Sequence, residues 1–100
     1  MTQNMADELL DALDAAAPLS ERGLSKLRWR CRRGLLENDL FIERFFNRHE
    51  SRLTVGQARA LYVLMDLSDN DLLDLLLRRN ELPENLHQED VQEVLSMLRQ

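Results

Sequence analysis

Apolar residues recur at three- and four-residue intervals along most of this chain, and nowhere do they alternate with polar ones over the length of a strand. Five helices are predicted from that spacing and its punctuation. The first starts near Leu24, after Ser20-Glu21-Arg22-Gly23, and runs to Glu37 or Asn38. Asp39 caps the second, which extends from Leu40 to about Arg48 through Phe41, Ile42, Phe45 and Phe46. Thr54-Val55-Gly56-Gln57 has the form of a capping box and opens a third helix, to about Leu67, with Ala58, Leu61, Tyr62, Leu64 and Met65 at helical spacing. Ser68-Asp69-Asn70-Asp71 reads as another capping box and opens a fourth, carrying Leu72, Leu73, Leu75 and Leu76 to about Arg79. Acids in its first turn and Arg78-Arg79 in its last both suit the helix dipole. Pro83 lies in the next turn, and residues 88–99 form the fifth helix, with Val91, Val94, Leu95 and Leu98 on one face.

Residues 5–17 are good helix formers with Leu9, Leu10 and Leu13 on one side, and Pro18 ends them. The apolar face is narrow, so this stretch is read either as a frayed helix outside the main fold or as a flexible acidic arm. The expected fold is all-α: a small bundle of five helices joined by short connections. Residues 1–22 form an acidic extension and residues 23–100 the bundle domain.

Composition narrows the class. One hundred residues, 44% hydrophobic and 31% charged with three Gly and two Pro, describe one small helical domain with a thin core. No window approaches the roughly 18–20 apolar residues that span a bilayer, and the acidic N-terminus lacks the basic start of a secretory signal. The expectation is a cytoplasmic protein with no direct membrane insertion. A single Cys excludes an intrachain disulfide and a Cys-based metal cluster.

The net charge of −5 is unevenly spread. Residues 1–20 contribute −4, residues 21–60 contribute +5 and residues 61–100 contribute −6. Residues 27–39 concentrate this contrast. They hold Arg28, Arg30, Arg32 and Arg33, the sole Trp (Trp29), the sole Cys (Cys31) and a Gly at 34. On a helical wheel with Leu24 at zero, Leu27, Cys31 and Leu35 fall within about 60° of it and Gly34 within about 80°. Lys26, Trp29, Arg33, Leu36 and Glu37 fall on the opposite side, between about 120° and 220°.

Two readings of that outer face remain open. Trp29 and Leu36 either cover a second neighbour, such as the N-terminal segment or the fifth helix, or they form an exposed anchor ringed by arginine, the composition of a binding hot spot. A mid-helix Gly34, costing about 1 kcal/mol relative to Ala, makes sense where another backbone approaches closely, whether a partner's or a neighbouring helix's. Arg33 and Glu37, one turn apart, would gain only a few tenths of a kcal/mol as a surface pair. Presented outward, Arg33 could grip a partner's carboxylate in a bidentate bond while Glu37 accepts from a donor.

Chemistry elsewhere is sparse. Cys31 lies on the core stripe and reads as a small buried hydrophobe. His49 and His87 have no ligand-spaced companion; His49 sits where it could cap a helix C-terminus. No phosphate loop, serine elbow or zinc spacing occurs, so an enzyme is not expected. A nucleic-acid-binding module is the contrasting class, but Arg28, Arg30, Arg32 and Arg33 spread around the helix and the sequence pI is near 5.0, away from the usual basic footprint.

Trp29-x-Cys31-Arg32-Arg33-Gly34-x-x-Glu37-x-Asp39, followed by Phe45-Phe46, resembles the succinate dehydrogenase flavin-assembly factor family. Asp66-Leu67-Ser68-Asp69-Asn70-Asp71-Leu72 resembles that family's acidic opening of the fourth helix. The likeness covers residues 24–98. It departs in the N-terminal extension and at Leu75, where many members have Trp. It implies a five-helix bundle, not itself an enzyme, that binds the flavoprotein subunit of succinate dehydrogenase, and often of fumarate reductase. There it promotes covalent attachment of FAD to a client His through the flavin methyl carbon, by a quinone-methide route. No dinucleotide-binding fingerprint occurs, so no cofactor is expected to be stably bound; the resemblance implies that FAD is held by the client and that Arg33, Gly34 and Glu37 are the contact motif. With the outward face this gives Trp29, Arg32, Arg33, Gly34, Leu36, Glu37 and Asp39 as candidate partner-binding residues, with no catalytic or metal-binding residue. Some members are described as antitoxins of a membrane-associated toxin, so an antitoxin-type interaction module stays beside nucleic-acid binding as the alternative.

Overall fold

Ser20 opens the first helix by accepting the Gly23 amide on its hydroxyl at 3.0 Å, the capping geometry expected of a Ser before an acidic first turn. In this computed structural model, which describes residues 14–32 and 34–100, α1 spans Glu21–Cys31, α2 Leu36–His49, α3 Val55–Met65, α4 Asp69–Leu76 and α5 Glu89–Leu98. Short 3-10 turns follow α2 and precede α5. The architecture is an all-α five-helix bundle, with no strand among the described residues.

α3 is the centre. Val55, Ala58, Ala60, Leu61, Leu64 and Met65 are all buried, so the helix is apolar on more than one side, as a helix surrounded by neighbours must be. It packs along α5, where Val91, Val94, Leu95 and Leu98 supply the other half of the interface, and against α1 through Leu27 and Cys31. α2 crosses α4 and α5 and inserts Ile42, Phe45 and Phe46. Phe45 and Phe46 meet edge to face at 5.3 Å between ring centroids, the geometry that aligns one ring's positive edge with the other's negative face.

The Thr54 capping box forms in both directions, whereas of the box expected at Ser68 only the Ser68 half forms. Thr54 accepts the Gln57 amide at 3.2 Å while Gln57 Oε1 accepts the Thr54 amide at 3.1 Å, and Ser68 accepts from the Asp71 amide at 3.2 Å. Other boundaries move. α1 starts three residues earlier than the apolar pattern implied, because Ser20 supplies the cap. α4 stops at Leu76 rather than near Arg79, because Arg78 adopts a left-handed conformation with φ 61°. His49 ends α2 but does not cap it. Its ring lies 5.4 Å from that of Phe45 and its Nε2 is 3.3 Å from Gln100 Oε1.

The helix suggested for residues 5–17 lies mostly outside the described residues. Of its described part, residues 14–17 form a turn, in which the Ala17 amide donates to the Asp14 carbonyl at 3.0 Å. Residues 15–19 strap across the start of α3. The Val55 and Gly56 amides, unpaired by the helix itself, donate to Ala17 and Ala15 carbonyls, each at 2.9 Å. Gly56 permits this approach: a Cβ there would stand 3.2 Å from both the Ala15 carbonyl oxygen and the Ala15 Cβ.

Candidate functional site

The segment expected to be one long helix is two helices and a sharp turn. α1 ends at Cys31; Arg32 is extended at φ −75°, ψ 112°, its amide donating back to the Trp29 carbonyl at 3.2 Å. Gly34 has φ +80° and nothing within 4 Å of where a Cβ would lie. It is therefore required for its left-handed backbone and not for close packing, which replaces the mid-helix reading. Leu35 is extended and precedes α2 without a side-chain cap. Asp39 is not the cap of the second helix. It sits inside the first turn of α2, with its amide donating to the Leu35 carbonyl at 3.0 Å.

The break reorders the candidate face. Trp29 stays on α1, 76% exposed, and Leu36 begins α2, 69% exposed, so neither is buried beneath a neighbouring helix. Trp29, Arg32 and Asp39 come together in a groove of about 470 Å³ between α1 and α2, floored by Cys31, Ile42 and Phe46. Glu37 faces away from it. It borders a second groove, of about 440 Å³, between α2 and α4, with Leu40, Phe41, Arg44, Leu73 and Leu77. Gly34 is the exposed turn between the helices. Arg33 lies outside the described residues.

α2 thus forms a ridge with a groove on each side. The first groove is mixed in polarity, with Arg28, Arg32, Asp39 and Glu43 around its apolar floor. The second is lined almost wholly by apolar side chains, with Glu37 and Arg44 as its charges. The Arg44 guanidinium lies over the Phe41 ring, 5.0 Å from its centroid, a cation–π contact.

The basic cluster is divided as well. Arg28 pairs with Glu50 at 2.6 Å and lies 5.1 Å from the Phe46 ring centroid, while Arg30 pairs with Asp66 at 2.8 Å. These exposed pairs are each worth under about 1 kcal/mol, but they turn two arginines toward acids of the bundle.

Three residues at this site escaped the sequence reading. Leu40 and Leu77 are 56% and 41% exposed beside the second groove. Asn38 is fully buried, and its side-chain amide donates to the Asp69 carbonyl at 3.1 Å. Leu40 had a local signal: in the run Leu40-Phe41-Ile42, three adjacent apolar residues cannot all face one core. Among the described residues no group of His, Cys, Asp and Glu is arranged to hold a metal ion, and no helix is long and apolar enough to cross a membrane.

The family model described as flavinator of succinate dehydrogenase matches residues 25–100, from within α1 to the last residue. The chain belongs to that family. It is 55% identical over 75 residues to an FAD assembly factor SdhE of Ralstonia nicotianae, an alignment covering 75% of this chain and 79% of the relative. It is 35% identical over 81 residues to one of Legionella pneumophila, covering 81% of this chain and 96% of the relative. A Coxiella burnetii relative of the same name is 42% identical over 52 residues, covering 52% and 63%. No solved structure gives a significant match. The match to this flavinator family takes in the α1–α2 turn, both grooves and the strapped start of α3.

Proposed function

We propose that this protein is an assembly factor that binds the flavoprotein subunit of succinate dehydrogenase and promotes its covalent flavinylation. The observation that carries the reading is the ridge beginning at Gly34. An exposed Trp29 on α1 and an exposed Leu36 on α2 flank a turn whose charged neighbours Arg32, Glu37 and Asp39 border two grooves. An exposed aromatic with adjacent arginine is how interface anchors are composed. Membership in the flavinator family and the FAD assembly factor names of the relatives support the same client.

In this reading Trp29, Arg32, Arg33, Gly34, Leu36, Glu37 and Asp39 are contact residues. FAD remains in the client, which supplies the histidine nucleophile and its electrostatic environment; the factor holds the client in a competent conformation. The fumarate reductase flavoprotein is a second client of the same chemistry. The protein acts in the compartment where its client matures, which we take to be the cytoplasm.

The test is in-gel fluorescence of covalent FAD on the flavoprotein subunit, produced with wild-type factor or with Trp29→Ala, Arg33→Ala or Glu37→Ala. Loss of fluorescence with folded variants is expected. Full flavinylation with all three would refute the assignment.

A further inference from the structure

The groove between α2 and α4 has a symmetry of its own. Glu37 and Arg44 are seven residues apart on α2, hence on one side of it and separated by about 10.5 Å. Opposite charges thus stand on either side of a point between Leu40 and Phe41. Neither residue has an ion-pair partner among the described residues. Around them Leu36, Leu40 and Leu77 expose 69%, 56% and 41% of their surface, an accumulation that marks a contact surface rather than scattered apolar residues.

We propose that a second copy of this chain occupies the groove, its α2 lying antiparallel across the first about a two-fold axis near Leu40. A two-fold interface must be self-complementary, and this face is. An antiparallel copy sets Glu37 opposite Arg44 of the second copy and Arg44 opposite its Glu37. The same axis sets Leu40 of each copy against Phe41 of the other, at the apolar groove formed with Leu73 and Leu77. A parallel copy would oppose Glu37 to Glu37 and Arg44 to Arg44, so charge selects the antiparallel register. The contact rests on one face of one helix and its flanking leucines, so the association is weak, with a dissociation constant on the order of 100 µM. Glu37 also belongs to the proposed client face. On that reading, which self-association itself does not require, dimer and client exclude one another.

Sedimentation velocity of the full chain, without flavoprotein, from about 5 to 500 µM tests the proposal across the expected constant. A reversible dimer is expected at the upper end. Glu37→Arg and Arg44→Glu should each weaken it by about tenfold or more, because each reversal makes two symmetric repulsions, and the double variant should recover to within about threefold. Leu40→Cys gives a readout that does not depend on the charge variants folding: mild oxidation should yield a covalent dimer in that variant and none in wild type, whose Cys31 is buried. A monomer at every concentration would overturn the proposal. So would reversals without effect, a folded double variant that does not recover, or absence of the Leu40→Cys dimer. Protection of Leu40 by the flavoprotein with the free chain strictly monomeric would give the groove to the client and overturn it too. A failed flavinylation assay leaves all these outcomes untouched, so the two readings fail separately.

Discussion

The side-chain amide of Asn38 donates to the backbone carbonyl of Asp69 at 3.1 Å, joining the first turn of α2 to the first turn of α4. Asn38 is flanked by Glu37 and Asp39, which border different grooves, so this bond fixes the rotation of the ridge. Its Oδ1 is also buried but meets no donor. The made bond is worth about 1 kcal/mol and the unmet acceptor costs a similar amount. Carbonyls at a helix start already accept from the amide four residues on, so losing Asn38 does not strand the Asp69 oxygen. Asn38→Leu should therefore lie within about 1 kcal/mol of wild type, whereas Asn38→Ala, which adds a cavity, should lose about 2 kcal/mol. Urea denaturation of the two variants checks the difference.

Gly34 separates strain from crowding. Its φ of +80° disfavours any L side chain, yet nothing lies within 4 Å of the added Cβ. Gly34→Ala should destabilise the protein by about 1–2 kcal/mol and Gly34→Asn by less, since Asn tolerates the left-handed region. A D-alanine introduced by chemical ligation should not destabilise it, because the strain is stereochemical. If Gly34→Asn folds like wild type but fails to support flavinylation, the turn is contacted by the client and not merely shaped by it.

Trp29 divides stability from binding in the opposite direction. With 76% of its surface exposed, it contributes little to the core. Trp29→Ala should change unfolding free energy by no more than about 0.5 kcal/mol while weakening client binding by about 2 kcal/mol or more, as for an interface anchor. Calorimetric titration against the flavoprotein subunit, beside thermal unfolding of the free variant, measures both.

Two helix starts were legible in the residues that cap them. Thr54 with Gln57, and Ser68 with Asp71, are local hydrogen-bonding units whose residue types announce them. The α1–α2 break was placed too late, at Asn38–Asp39 instead of after Cys31, because Leu35 falls on the same wheel stripe as Leu27 and Cys31, so apolar spacing alone carries the helix through it. Charge held the missing signal: Arg28 and Arg30 end one helix, Gly34 follows, and Glu37 and Asp39 occupy the first turn of the next, which is the order the helix dipole prefers at a stop and a start. That break placed Glu37 beside a different groove from Trp29, a separation no single wheel could reveal. The strap over α3 left no local pattern. Its trace is Gly56 at a buried helix start, which becomes intelligible once Ala15 lies against it.

Arg78 carries a prediction that the helix-stop chemistry decides. The Arg78 amide donates to the Leu75 carbonyl at 3.1 Å and the Arg79 amide to the Asp74 carbonyl at 2.8 Å, the paired bonds of a Schellman stop, whose left-handed position normally holds Gly. Here Arg occupies it with φ 61°, and an Arg79–Asp74 ion pair at 3.4 Å joins the positions where apolar residues usually meet. Arg78→Gly relieves about 1 kcal/mol of backbone strain. It gives up a few tenths of a kcal/mol of attraction between the cation and the helix C-terminus. It also removes a repulsion. Burial, and then the Arg78 charge, hold the Arg99 guanidinium below its ordinary pKa, with Glu81 opposing, while Arg99 Nε donates to the Leu75 carbonyl at 2.8 Å. Strain relief is the largest of the three, so Arg78→Gly should stabilise the protein by about 0.5–1 kcal/mol and raise its melting temperature by a few degrees. Thermal unfolding decides it, and a lowered melting temperature would mean that the Arg78 side chain makes a stabilising contact stronger than its backbone strain.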